Sequence, residues 1–138
     1  MSLSSLLILF GVLLVFVLTW YGLSYLFTPH LDEPDGYARV TGNCGDTMEI
    51  GIKVKKGRVV ETLCATDGCN MSKQCVESAA RLAFEKSIEE IRSLNMTHIA
   101  DEVGHVPDSH LHCAQLAEIT LQRALDDYSR NQQSLKQG

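Results

Sequence analysis

An uncharged apolar stretch near the start of the chain constrains its folding most. Residues Leu6 to Phe27 contain no Asp, Glu, Lys or Arg. A helix of this length, rising ~1.5 Å per residue, spans roughly 33 Å, enough for the hydrocarbon core of a bilayer. Trp20, Tyr21 and Tyr25 lie toward its end, where aromatic side chains favour the membrane interface. The sequence therefore predicts a transmembrane anchor within residues 1–28.

A cleaved signal peptide is the competing interpretation of this stretch. It lacks a basic segment in front and a small-x-small cleavage site, and the apolar run is too long. We therefore favour the anchor, in a single-pass membrane protein. The first basic residue is Arg39, after the span, and this bias predicts that the soluble part lies on the cytoplasmic side.

The rest of the 138-residue chain is long enough for one modest domain. We predict a short acidic linker at 29–36, a folded domain at 37–130 and a polar tail at 131–138 that frays. The net charge is −5, so the chain has no excess of basic residues. Nucleic acid is therefore not an expected partner.

Two strands and a series of helices are predicted in the domain. Met48–Lys55 alternates apolar and polar residues, as a half-buried strand does. A Lys-Gly turn follows, and Arg58–Thr66 is the return strand. Helical patterns come later, and they cover Asn70–Phe84, Ser87–Leu94 with a Ser87/Glu90 capping box, Thr97–Glu102, and about Cys113 to Ser129. Strands followed by helices predict an α+β fold, with helices packed on one face of a small antiparallel sheet.

Chemistry is concentrated in the motif Cys44-Gly45-Asp46, which pairs a soft thiolate with a hard carboxylate. Iron accepts both kinds of ligand, and the glycine lets the backbone bring them to one centre. Cys69 and Cys113 each stand at a predicted helix start, where free N–H groups favour the thiolate. No Cys-x-x-Cys motif links the cysteines, so spacing alone favours separate thiols over a shared metal site.

The five cysteines cannot all pair in disulfides, because their number is odd. Free thiols fit a reducing compartment or metal ligation. Cys64 lies within a predicted strand and is expected to be a small core residue. Cys75 lies on the helix after Cys69, and we expect a core or surface thiol there.

Three motifs in order, Cys44-Gly45-Asp46, Gly68-Cys69 and His112-Cys113, resemble the iron–sulfur cluster assembly scaffolds of the IscU/NifU type. The resemblance extends over about residues 37–128. It implies that the three cysteines hold a nascent [2Fe–2S] cluster and that Asp46 or His112 completes the site. It also implies a scaffold rather than an enzyme with turnover.

Partners follow from the same resemblance. A cysteine desulfurase would supply sulfur as a persulfide, with Cys113 as the acceptor, and apo iron–sulfur proteins would receive the cluster. The family's Leu-Pro-Pro-Val-Lys segment before His-Cys is replaced here by Val106-Pro107-Asp108-Ser109-His110. This replacement argues against a dedicated Hsp70-type chaperone partner. The membrane anchor is a second departure, because the common members of the family are soluble.

Two alternative functions use the same residues. A zinc-binding or degenerate relative would act as an interaction module, since zinc accepts Cys, His and Asp in a tetrahedral set. A membrane-bound redox or electron carrier would use a cluster or a Cys69–Cys75 thiol pair. Permanent clusters are usually held by four thiolates, so a carboxylate ligand argues against the carrier.

Overall fold

The structure is a computed structural model that describes residues 2–27 and 33–138. Its contacts divide the chain into two units, Met1–His30 and Leu31–Gly138. In the first unit, helix α1 runs from Leu3 to Phe27, and all of its residues are exposed. This helix is long and apolar enough to cross a membrane, a test that a signal sequence near an N-terminus also passes. Residues 28–32, which include part of the predicted linker, lie outside the described ranges.

The second unit is built on a three-stranded antiparallel sheet in the order β1-β2-β3. The strands are β1 (Gly36–Thr41), β2 (Thr47–Lys55) and β3 (Arg58–Thr66). The predicted β2–β3 hairpin is confirmed. Strand β1 was missed by the sequence analysis, although its residues alternate between buried and exposed. Only Ala38 and Val40 face inward with apolar side chains, which is a weak signal over so short a strand.

One face of the sheet carries the core. Met48, Ile50 and Ile52 of β2 are fully buried. Cys64 pairs with Ile50 in the register and is half-buried on the same face. It therefore lies at the edge of the core, where the sequence analysis placed it.

The helices are α2 (Asn70–Ala83), α3 (Ile88–Arg92), α4 (Met96–Val103) and α5 (Leu111–Gln137), with a short 3-10 turn at Asp108–His110. The capping box of α3 is confirmed: Ser87 N donates to Glu90 Oε2 (3.0 Å) and Glu90 N donates to Ser87 Oγ (3.3 Å). The helices that form the core pack against the inner face of the sheet, so the predicted α+β class is confirmed.

Helix α5 is longer than predicted. The tail at 131–138 was expected to fray, but the helix continues through it to Gln137. The segment contains neither glycine nor proline before Gly138, and five of its eight residues are Gln, Leu or Lys, which are good helix formers. Helical propensity therefore stabilises this exposed end of α5, which makes few packing contacts with the rest of the domain.

Helix α5 also fixes the position of its neighbours. Its buried stripe contacts the sheet and α2, and it comprises Cys113, Ala114, Leu116, Ala117, Thr120, Leu121, Ala124 and Leu125. Gln122 Nε2 donates to the carbonyl oxygens of Ile91 (3.1 Å) and Leu94 (3.3 Å) at the end of α3. Glu118 Oε2 accepts from Met96 N at the start of α4 (2.9 Å). These bonds join the middle of α5 to the end of α3 and the start of α4.

Candidate metal centre

Three segments distant in sequence converge at one corner of the domain. Asp46 comes from the loop between β1 and β2, Cys69 from the N-cap of α2, and Cys113 from the first turn of α5. One carboxylate oxygen and the two sulfur atoms all lie within 4.8 Å of one another. We refer to Asp46, Cys69 and Cys113 as the donor triad.

A buried serine lies among the three donors. The Ser72 hydroxyl donates to Asp46 Oδ2 at 2.7 Å and lies 3.3 Å from Cys113 Sγ and 3.5 Å from Cys69 Sγ. The sequence motifs did not identify this residue as part of the site. The available signal was its position three residues after Cys69, which places both on the same helical face.

Gly68 allows the carboxylate to approach. A Cβ at this position would lie 2.6 Å from Asp46 Oδ2 and 2.8 Å from Ser72 Cβ. The neighbouring residue Asp67 accepts a hydrogen bond from Thr47 N (2.7 Å). This bond connects the loop that contains Cys69 with the start of β2. The glycine and this bond explain how Asp46 comes to lie against the start of α2.

The other two predicted ligands lie beside the donor triad. Cys44 is exposed, and it lines a cavity of about 500 Å³ together with His112, Ile119 and Arg123. His112 Nε2 is 3.5 Å from Cys113 Sγ, and its ring stacks on His110 with centroids 6.1 Å apart. Among the residues that the structure describes, the close group of donors contains Asp46, Cys69 and Cys113, and it does not include Cys44 or His112.

The two triad thiols differ in protonation. Hydrogen bonds from the Ser72 side chain and backbone, with a smaller one from Met71, lower the pKa of Cys69. This agrees with the prediction that the helix start favours a thiolate there. The same prediction is wrong for Cys113, because burial raises its pKa despite the hydrogen bond from Ser72. Cys69 occupies the N-cap position of α2 and is exposed, whereas Cys113 lies inside the first turn of α5 and is fully buried.

The remaining cysteines are embedded in the core. Cys75 is fully buried. Burial, followed by the charges of Cys113 and Cys69, raises the pKa of Cys75 to about 11. Burial also raises the pKa of the half-buried Cys64. Both thiols therefore favour the protonated form, and neither belongs to the close group of donors among the described residues.

The donor set has the chemistry of an open metal site. Two thiolates on one tetrahedral zinc ion lie about 3.8 Å apart, so the donor triad needs only a small contraction to close on an ion. Sulfur and carboxylate together also suit iron. Three donors leave one position of a tetrahedral ion to be filled, and the other predicted ligands, Cys44 and His112, are close to Asp46 and Cys113 in sequence.

Comparison with known proteins gives a consistent result. The family model described as the NifU-like N terminal domain matches residues 31–135. The chain is 36% identical over 102 residues to "Iron-sulfur cluster assembly scaffold protein IscU 1" of Archaeoglobus fulgidus, covering 72% of this chain and 66% of the relative. It is 38% identical over 91 residues to "Iron-sulfur cluster assembly enzyme IscU" of Drosophila melanogaster, covering 65% of this chain and 58% of the relative. The matches therefore span about two thirds or less of each relative.

A solved structure supports the fold. The crystal structure of a NifU-like protein (N-terminal) from Brucella abortus superimposes with a TM-score of 0.51 and 20% sequence identity. It covers 75% of this chain and 83% of the other. At this identity the likeness concerns the arrangement of strands and helices alone.

Proposed function

The chain belongs to the family of NifU-like N-terminal domains, and on that premise we propose that it is a scaffold on which a [2Fe–2S] cluster is assembled before transfer to apo iron–sulfur proteins. The observation that carries this proposal is the donor triad, in which three separate segments bring two sulfurs and a carboxylate within 4.8 Å of one another. The relatives named as assembly scaffolds support the same role. The protein acts as a platform and not as an enzyme with turnover.

The proposed ligands of the cluster are Cys44, Cys69 and Cys113 with Asp46. The carboxylate is favoured over His112 as the fourth ligand because its oxygen already belongs to the donor triad. Cys44 is on an exposed loop and joins the site when the cargo binds. A carboxylate binds iron less tightly than a thiolate, so this corner of the cluster stays exchangeable, as release requires.

Sulfur is proposed to arrive from a cysteine desulfurase at Cys113. In that step the Cys113 thiolate attacks the outer sulfur of the desulfurase persulfide, a new S–S bond forms, and the desulfurase cysteine leaves as a thiolate. His112 Nε2, 3.5 Å from the sulfur, is placed to take the thiol proton first. Because Cys113 is fully buried, its sulfur must become accessible when the partner binds.

We further propose that helix α1 tethers the domain to a membrane, with the domain on the cytoplasmic side. The support is its length, its lack of charge and the first basic residue after it. The full-length protein is expected to remain with membranes after carbonate or high-salt extraction. Release by salt, or a mature chain cleaved after Phe27, would disprove the tether. Thiol labelling from each side of the membrane tests the orientation.

The scaffold proposal is tested by the lifetime of the cluster. Anaerobic reconstitution with iron, sulfide and a cysteine desulfurase is expected to give a [2Fe–2S] absorption spectrum. Asp46→Ala is expected to lengthen the lifetime in air and to slow transfer to an apo-ferredoxin, because the exchangeable ligand is gone. Faster cluster loss in this variant would contradict the exchange argument.

A zinc-binding module is the second candidate, because the spacing of the donor triad also suits a tetrahedral zinc ion. For a zinc module, Asp46→Ala weakens zinc binding and there is no cluster whose lifetime could lengthen. Weaker binding of a single ion alone fits both functions. Metal analysis of anaerobically purified protein, combined with its absorption spectrum, separates the two functions.

A further inference from the structure

Within residues 2–27 and 33–138, Ser72 alone has polar contacts with every member of the donor triad. We propose that Ser72 is a positioning residue, whose hydroxyl holds the Asp46 carboxylate beside the two thiols and so arranges the site before a metal arrives. The inference rests on the ligand set of the proposed function. It assigns to this serine a role outside the direct ligands.

The burial of Ser72 is the first argument. Its relative exposure is 0%, and a buried hydroxyl without a partner costs free energy. The 2.7 Å bond to Asp46 Oδ2 is short, as hydrogen bonds to carboxylates are. Every side-chain polar contact found for Ser72 within the described ranges goes to a member of the donor triad. The fold therefore uses this hydroxyl at the site.

The number of protons is the second argument. A serine hydroxyl has one proton and two lone pairs. With both thiols protonated, the Ser72 proton goes to Asp46 Oδ2, so the sulfurs of Cys113 and Cys69, at 3.3 and 3.5 Å, face the lone pairs. Thiol S–H groups can donate weakly to these lone pairs. One hydroxyl thus connects all three donors in the metal-free protein.

The position of the carboxylate is the third argument. Asp46 Oδ2 is held between the Ser72 hydroxyl and the Gly68 backbone, since a Cβ on Gly68 would lie 2.6 Å from it. In the part of the chain that the structure describes, no side-chain hydrogen bond is found to the other carboxylate oxygen, Oδ1. Ser72 therefore orients Asp46 with one oxygen occupied and the second left for a metal.

Cobalt binding to the full-length protein in detergent tests this role. Co²⁺ bound by thiolates gives charge-transfer and d–d bands, and competition with Zn²⁺ gives the affinity for each metal. Ser72→Ala is expected to weaken both affinities by about 10- to 100-fold, the usual cost of losing a group that orients a ligand. Ser78→Ala is the matched control, because Ser78 is also buried on α2 and its hydroxyl contacts Arg81 instead. The control is expected to change affinity by less than about threefold.

A second pair of variants covers a failure of Ser72→Ala to fold. Ser72→Thr and Ser72→Val add the same bulk, and only threonine keeps the hydroxyl. Valine is expected to bind Co²⁺ at least about tenfold more weakly than threonine. In an Asp46→Ala background, Ser72→Ala is expected to add less than about threefold, because the two residues act as one unit.

The outcomes separate the two proposals. If wild-type protein gives no thiolate-to-cobalt band, the ligand set itself is wrong and the role of Ser72 fails with it. If wild type binds Co²⁺ but Ser72→Ala behaves like Ser78→Ala, or threonine and valine bind alike, the positioning role is overturned while the ligand set stands. Additive losses from Ser72→Ala and Asp46→Ala would also overturn it.

Discussion

The donor triad and the adjoining corner that carries Cys44 and His112 contrast in how they are held. Asp46, Cys69 and Cys113 are linked through one buried serine. Cys44 and His112 are exposed beside a cavity of about 500 Å³. The triad donors are therefore arranged in advance, whereas the adjoining corner is open to solvent. Under the proposed function, the first property serves retention of the cluster and the second serves its release.

Replacing cysteines one at a time is the strongest way to test this contrast. Cys69→Ser or Cys113→Ser is expected to weaken Co²⁺ binding by more than about 100-fold. This exceeds the cost of losing a residue that only orients a ligand. Cys44→Ser is expected to cost about tenfold, because its sulfur lies outside the preformed group. Titration followed by the charge-transfer band measures both. Equal losses at all three positions would remove the distinction.

The same variants behave differently when the cargo is a cluster. Each of Cys44→Ser, Cys69→Ser and Cys113→Ser is expected to abolish or severely impair reconstitution of [2Fe–2S], which needs more donors than a single ion. Cys64→Ser and Cys75→Ser serve as controls and are expected to leave the cluster largely intact. A complete loss with Cys75→Ser would place the site elsewhere.

Alkylation of the metal-free protein compares the thiols directly. Burial raises the pKa of Cys75 from 9.0 to about 11. At any pH below 9, the fraction of Cys75 in the thiolate form is therefore about 100-fold lower than for an ordinary cysteine. Cys69, with a lowered pKa, is expected to react first among the residues with shifted pKa values, and at lower pH than Cys113 or Cys75. Peptide mass spectrometry of iodoacetamide-treated protein over a pH series gives the order. Cys113 reacting before Cys69 would contradict the difference in burial.

Gly68→Ala tests how closely the triad is packed. The added Cβ would lie 2.6 Å from Asp46 Oδ2, so the carboxylate has to move. Co²⁺ affinity is expected to fall by about tenfold, as it does when a ligand loses its orientation. Gly57→Ala is the control: its φ of +76° strains an alanine, but no heavy atom lies within 4 Å of the added Cβ. It is expected to lower the free energy of unfolding by about 1 kcal/mol and to leave metal affinity unchanged.

His112→Ala is expected to have the smallest effect. Its ring is exposed and touches Cys113 Sγ only at 3.5 Å, so Co²⁺ affinity should fall by about threefold or less. Asp46→Ala measured in parallel is expected to lose more. The reverse ranking would make His112 the fourth ligand and move the exchangeable position to the exposed corner.

Local patterns predicted most of the fold. The alternation in residues 48–55 and the stripe of α5 are visible without knowledge of what they pack against. The capping box at Ser87 is likewise a contact within one turn. Strand β1 was missed because its own composition gives little sign of a strand, and it is defined by its pairing with β2. The extent of α5 was missed because a polar surface helix has no apolar stripe to mark its end.

The site was predictable only in part, for a related reason. The motifs pointed to Asp46, Cys69 and Cys113, and they share one corner. The motifs could not identify Ser72, whose role exists only where α2 meets the β1–β2 loop and α5. The raised pKa of Cys113 also depends on tertiary burial, which a rule about helix starts does not include.

The docking of α5 has a consequence for protein synthesis. The ribosome releases Asp46 and Cys69 early, with β2, β3 and α2, whereas Cys113 emerges with the last helix of the described chain. Because Cys113 is synthesised after Asp46 and Cys69, the emerging polypeptide holds at most two of the triad donors together until α5 packs on the sheet. Under the proposed ligand set, an incomplete chain binds metal weakly, and the full site forms only when the domain is complete.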